Sequence, residues 1–164
     1  MFNVLENVIY RHEVCIINEK KIGRNDKEYY VLVPIFDNTL KIEIPVVFAN
    51  KNVRRLISKE DALELIKKIP LIDTIDVDSK LLESEYKKLL SDNNYYNLVR
   101  IIKTTYLRNK ERLDNKKRLS YRESYYFELA EKYLYNELSL VFNMSLDETK
   151  KFVFNEVEKI SNNN

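Results

Sequence analysis

The hydrophobic period of this chain changes at Ser58, and that change confines it to an α+β fold with strands and helices in separate stretches. Before Ser58, residues 2–10, 14–22, 28–35 and 40–48 are rich in Val, Ile, Tyr and Phe and are separated by polar turns at residues 23–27 and 37–38. Short runs of this kind read as strands with one buried face, and four of them in succession fit a small antiparallel β-barrel. Pro34 and Pro45 belong at strand ends or edges, because proline has no N–H to give a ladder.

From Ser58 onward the apolar spacing is helical. Ser58 and Asp61 start a helix that runs to about Ile69, where Pro70 stops it. Residues 71–79 form an acidic, partly β-branched connector, which sets a boundary between a first domain, residues 1–72, and a second, residues 73–164. Helices are expected over residues 79–91, 94–112, 119–142 and 145–160, with Asn162, Asn163 and Asn164 as a frayed end. Two of these helices open with a Ser-x-x-Glu capping box, Ser120 with Glu123 and Ser145 with Glu148, in which hydroxyl and carboxylate each accept a backbone N–H at the helix start. Phe127, Ala130, Leu134 and Leu138 then form an apolar stripe.

Composition excludes several classes of function. His12 is the sole histidine, Cys15 the sole cysteine and Gly23 the sole glycine, so histidine clusters, CxxC zinc sites, phosphate-binding glycine loops and dinucleotide fingerprints cannot be built. His12 and Cys15 are three apart and would face opposite ways on a strand, which is poor geometry for a nucleophile and its base. Cys15 lies in the apolar run Val14-Cys15-Ile16-Ile17 and reads as a buried small hydrophobe. No enzymatic activity and no cofactor is expected. Apolar runs are too short to span a bilayer and no signal-peptide pattern opens the chain, so a cytoplasmic protein without a membrane partner is expected.

The net charge is +2, unevenly spread. Residues 98–122 carry nine cations against two acids, a net +7, and residues 123–164 a net −4. A basic helix and loop can neutralise phosphates and release counterions, which gives weak, largely non-specific, salt-sensitive affinity for duplex DNA. A solvated helix face is the alternative. Lys80, Arg100, Lys103, Arg108, Lys116, Lys117, Arg118 and Arg122 are the candidate DNA contacts. Twelve tyrosines, clustered at Tyr95-Tyr96, Tyr121, Tyr125-Tyr126, Tyr133 and Tyr135, could stack on unpaired bases or line helix interfaces with the hydroxyl in water. The second reading explains them adequately.

The Leu119-Ser120-Tyr121-Arg122-Glu123 helix start, with Phe127, Ala130, Leu134 and Glu137-Leu138 at their offsets, resembles the C-terminal helices of CarD/CdnL-type transcription regulators. Met1 to Val4 and Val8 to Tyr10 are similar to that family's opening strand, residues 27–32 and 40–45 to its central hairpin, and residues 53–62 to its first helix start. The resemblance implies a Tudor-like (SH3-like) barrel followed by an all-α bundle, and a regulator that binds the RNA polymerase β subunit and double-stranded promoter DNA. Lys20, Lys21, Ile22, Ile42, Glu43 and Ile44 match the strands that meet the β-subunit lobe by strand addition. Association with the nucleoid follows from the same resemblance.

Departures from the pattern bear on function. Glu43 stands where the family carries a basic or neutral residue, and a reversed charge can cost several kcal/mol against the wrong partner. The opening run Leu5 to Glu13 lacks the family's glycines and proline, so its first hairpin must avoid positive φ or accept strain, and should be remodelled and shortened. The family's tryptophan, which wedges into the minor groove beside melted promoter DNA, aligns with Val77 or Asp78, and the chain has no tryptophan. Two alternatives stand beside a polymerase regulator: an interaction module with no DNA role, and a phage or mobile-element protein that competes with a host CarD-type regulator.

Overall fold

A computed structural model describes residues 1–163. It is α+β, and its contacts divide the chain into two compact units at Leu56/Ile57.

The first unit is an antiparallel sheet of β1 (Asn7–Tyr10), β2 (Glu13–Ile22), β3 (Glu28–Pro34), β4 (Ile42–Pro45) and β5 (Val53–Arg55), in the order β4-β3-β2-β1-β5. Among the described residues both outer strands are unpaired on one side, so the sheet is open and the expected closed barrel is not formed. Pro34 and Pro45 end β3 and β4, as their missing N–H requires. Residues 2–6, expected as strand, precede β1 as turn and coil, with Leu5 at φ 68°. Residues 46–48, also expected as strand, begin a short helix α1 (Val46–Asn52) with Pro45 as its N-cap. The β-branched Val46-Val47 pair obscured that helix, although Pro45 fits a helix start. Ala49 of α1 is buried with Val8, Cys15, Ile17, Tyr30, Leu32, Ile44 and Val53.

The first hairpin is built without glycine by accepting strain. Tyr10 pairs with Glu13, so the turn is the two residues Arg11 and His12, at φ 49° and 67°. Two positive φ values define the turn type whose twist matches the strands, and non-glycine residues there cost about 1–2 kcal/mol each. Gly23, after β2, has a different reason to be glycine: a Cβ there would lie 2.6 Å from the Tyr29 ring.

The second unit contains α2 (Lys59–Lys68), a 3-10 turn (Ile69–Leu71), α3 (Ser79–Ser91), α4 (Tyr95–Asp114), α5 (Tyr121–Phe142) and α6 (Leu146–Asn162). The sequence put α2 in the first domain, with the boundary at residue 72. Its buried Ala62, Leu65 and Ile66 pack in one core with Leu82, Leu98, Ile101, Ala130, Leu134, Leu138 and Val153, so it belongs with the later helices. Ser58 accepts from the Asp61 N–H, and Ser145 with Glu148 makes both bonds of a capping box. Asn143, in the left-handed conformation at φ 53°, ends α5, as asparagine can. The α5 stripe begins at Tyr126 instead of Phe127, since Tyr126 is buried and Phe127 only half-buried. Within this core Tyr126 meets Tyr86 edge-on, the Tyr86 hydroxyl lies 2.7 Å from Thr105 Oγ1, and the buried Glu137 accepts the Ile57 N–H at 2.9 Å. Asn162 and Asn163 are the last turn and C-cap of α6; Asn164, the end of the expected fray, lies outside the described residues. No helix among the described residues is long and apolar enough to cross a membrane.

Candidate nucleic-acid interface

Three chain segments of the helical unit meet around Ser79: the start of α3, the end of α4 and the start of α5. Asp78 caps α3 by accepting the Lys80 N–H at 2.8 Å. This cap gives Asp78 a structural role of its own, and the neighbouring Val77 is half-buried against the helical core. The α4 end carries Arg108 and Arg112, one turn apart and therefore on one face. α5 starts at the Ser120 cap, which accepts the Glu123 N–H at 3.4 Å.

Glu123 does not complete the expected capping box. Its side chain, nine-tenths buried, instead accepts Arg108 Nε at 3.1 Å and Nη2 at 3.2 Å, and Arg112 Nη1 and Nη2 at 2.7 Å each. Four charge-assisted bonds to two guanidiniums outcompete one neutral backbone N–H. Burial opposes ionisation of Glu123, but the hydrogen bonds from Arg112 and Arg108 together outweigh it and leave the carboxyl below the usual range. Arg108 Nη2 also donates to Ser79 Oγ at 2.9 Å. Glu123 thus fixes both guanidiniums, and these line an open pocket of about 280 Å³ with Ser79, Glu111, Asn115 and Lys117. A second depression on the other side of Ser79 is lined by Lys80, Glu83, Tyr86, Arg122 and Tyr126. The well-exposed Arg122 lies 3.1 Å from the half-buried Glu83, which also pairs with Lys87 at 3.0 Å.

Among the eight candidate cations, the geometry therefore gathers Lys80, Arg108, Lys117 and Arg122 around Ser79. Lys116 and Arg118 flank Lys117 in the exposed loop after α4, where Lys116 takes a left-handed φ of 56°. Arg100 and Lys103 lie two turns earlier and serve the connector. Lys103 donates to the carbonyls of Ile69, Pro70 and Ile72 at 2.6–3.1 Å, and Arg100 Nε lies 3.4 Å from the Asp73 carbonyl. Arg112 was not singled out as a candidate contact, although its spacing from Arg108 placed both on one face. The clustered tyrosines divide: Tyr126 is buried, Tyr95, Tyr96, Tyr133 and Tyr135 are half-buried, and Tyr121 is 88% exposed and Tyr125 half-exposed beside the basic end.

In the sheet unit, Lys20, Lys21 and Ile22 lie in the distal half of β2. The bulge between Ile17 and Glu19 starts this half, which pairs with β3 alone because β1 covers only Glu13 to Ile16. Lys20 pairs with Glu28 at 2.8 Å, and Lys21 with Glu43 at 2.5 Å. Ile42, Glu43 and Ile44 form the outer strand. Tyr29 faces Pro45, whose missing N–H suits a non-hydrogen-bonded pair, and the Ile35 N–H bond to the Val14 carbonyl sets the same phase along β3. The alternation of an antiparallel ladder then turns Ile44 and Ile42 inward to β3 and points the Glu43 backbone at the open edge. Cys15 is fully buried, which pushes its thiol up to about 12; such a thiol is inert at neutral pH.

No family model matches the chain, and no curated protein matches it.

Proposed function

We propose that the chain is a CarD-like transcription regulator: its sheet accepts a strand of the RNA polymerase β subunit along β4, its basic helical end touches promoter DNA, and it performs no chemistry of its own. The gathering of Lys80, Arg108, Arg112, Lys117 and Arg122 around Ser79, with Lys116 and Arg118 beside them, carries this reading, since a solvated helix face would scatter its cations. The open edge of β4, with the Glu43 backbone outward, supports strand addition. The strand order, with β5 returning to β1, supports a Tudor-like barrel that stops short of closure. Work on promoters would place the protein at the nucleoid.

Each released counterion contributes about −0.9 to the slope of log K against log salt on duplex DNA. Full-length protein should bind duplex DNA with little sequence preference, and replacing Lys116, Lys117 and Arg118 with Ala should flatten that slope by up to ~3. A flat slope in the natural protein would overturn the DNA contact. It would select a strand-accepting module without a DNA role, the reading favoured by the internal use of Arg100 and Lys103. Co-purification with RNA polymerase tests the other contact, and its failure with folded full-length protein would remove the regulator reading altogether.

A further inference from the structure

Ser79 is an exposed hydroxyl at the first helical position of α3, set in the basic pocket that anchors the site above. Its Oγ already accepts from Arg108 Nη2 at 2.9 Å, and Arg112 and Lys117 line the same cavity. Arg108 uses Nε and Nη2 in the contacts described, and Arg112 uses Nη1 and Nη2. Nη1 of the first and Nε of the second are left to serve an added acceptor. The Glu123 carboxylate already holds both guanidiniums in place, so little reorganisation would be needed. The cavity, about 280 Å³ and open, has room for a tetrahedral oxyanion. Residues 73–78, just before Ser79, have neither helix nor strand structure and are exposed apart from Ile75 and Val77, which suits an extended enzyme-bound segment. Asp76 and Asp78 within it, with Glu83 after it, give the acceptor an acidic context.

We propose that Ser79 is a phosphoacceptor whose phosphoester is captured by Arg108, Arg112 and Lys117, closing the basic pocket to DNA. A serine kinase of acidic-substrate preference would transfer the group from a nucleoside triphosphate. Ser79 Oγ attacks the γ-phosphorus, the bond to the β-phosphate oxygen breaks, the nucleoside diphosphate leaves, and the hydroxyl proton passes to the kinase's base. The product adds about −1.5 to −2 charges and three acceptor oxygens at a helix N-terminus, where they are favoured. Glu111 at the pocket wall, Asp78, Glu83 and the Glu123 carboxylate already bonded to both arginines oppose it, while Arg108, Arg112, Lys117, Lys80 and Arg122 favour it. The loss of DNA affinity rests on the function proposed above; the capture does not.

Full-length protein with genetically encoded phosphoserine at residue 79 provides the test. In a phosphorus NMR titration the second ionisation, ordinarily near 6, should fall by roughly half a unit or more, and Lys117→Ala should restore part of that fall. Phosphoserine at Ser91, the other end of α3, adds the same charge and should show no such lowering. Duplex DNA affinity should drop about tenfold or more with phosphoserine at 79, from the cancellation of roughly two cations. An unshifted ionisation at residue 79 overturns the capture. A lowered ionisation in a protein that shows no salt-dependent DNA binding keeps the capture and removes the DNA reading. Treatment with an acidic-directed serine kinase and ATP should label Ser79 by mass spectrometry; labelling elsewhere alone would overturn its role as acceptor.

Discussion

Replacing Glu123 with Gln probes the basic end of the helical unit. The amide keeps the shape of the carboxylate but turns one oxygen into a donor, so two of the four contacts with Arg108 and Arg112 become donor against donor. Removing one partner of a buried ion pair costs about 3–5 kcal/mol when the other charges stay unsolvated. Here the arginine side chains remain 27% and 20% exposed and can recruit water, so about 2–3 kcal/mol is expected, near the range of one or two hydrogen bonds to a charged group. Urea unfolding followed by circular dichroism reads that difference. The folded-state ionisation of Glu123 is lowered, so its stabilisation is fully present above the unfolded carboxyl value of about 4.3 and is lost as pH falls through the folded value. The stability gap between natural protein and Glu123→Gln should accordingly be full at neutral pH and shrink in acid below that range. A gap unchanged from neutral pH to about pH 3, or no gap at pH 7, would refute the account of the Arg108–Glu123–Arg112 cluster.

Three further outcomes are expected. Arg11→Gly should raise the urea midpoint by the equivalent of about 0.5–1 kcal/mol, because relief of left-handed strain exceeds the added chain entropy; a lower midpoint would mean the turn is not strained. Glu43→Pro should abolish co-purification with RNA polymerase while Glu43→Gln retains it, since only proline removes the outward N–H; equal binding by a folded proline variant would exclude edge pairing. Asp78→Trp should lose about 1 kcal/mol of α3 capping yet lengthen open-complex lifetime several-fold by supplying an insert at the base step; a long lifetime already present in the natural protein would remove the argument from the missing wedge.

Local signals in the sequence located elements well and long-range pairing poorly. Helix starts at Ser58, Ser120 and Ser145 were legible because a cap acts within three residues, and Pro70 ended α2 for an equally local reason. α1 was missed because the strand composition of Val46-Val47-Phe48 outweighed the one local start signal, Pro45, and the burial of Ala49 that favours helix is tertiary. The destination of Glu123 was invisible: as a capping-box member it had a local partner, and two arginines 11 and 15 residues earlier offered a stronger one. Lys103 and Arg100 counted equally with Lys117 in a charge sum, which carries no information about which cations face carbonyls and which face water. Asp78 stood out in the sequence only as a place where the resemblance lacks its tryptophan, and it is a helix cap in the fold.

The bulge at Ile17/Glu19 has a consequence for how the protein survives at high concentration. A strand with an open side is a template for fibrils and for sticking between nascent chains. The distal half of β2 is such a strand, but it begins at a bulge, which bends and twists it, and it carries Glu19, Lys20 and Lys21. β5 is three residues long and carries Arg54 and Arg55. Both open sides are therefore poor nuclei for self-assembly, and β4, with Ile42 and Ile44 about a single charge, is left as the side most able to take a foreign strand. Shortening the bulge by deleting Asn18 would flatten β2, and turbidity on concentration would then mark the point at which a second template had been uncovered.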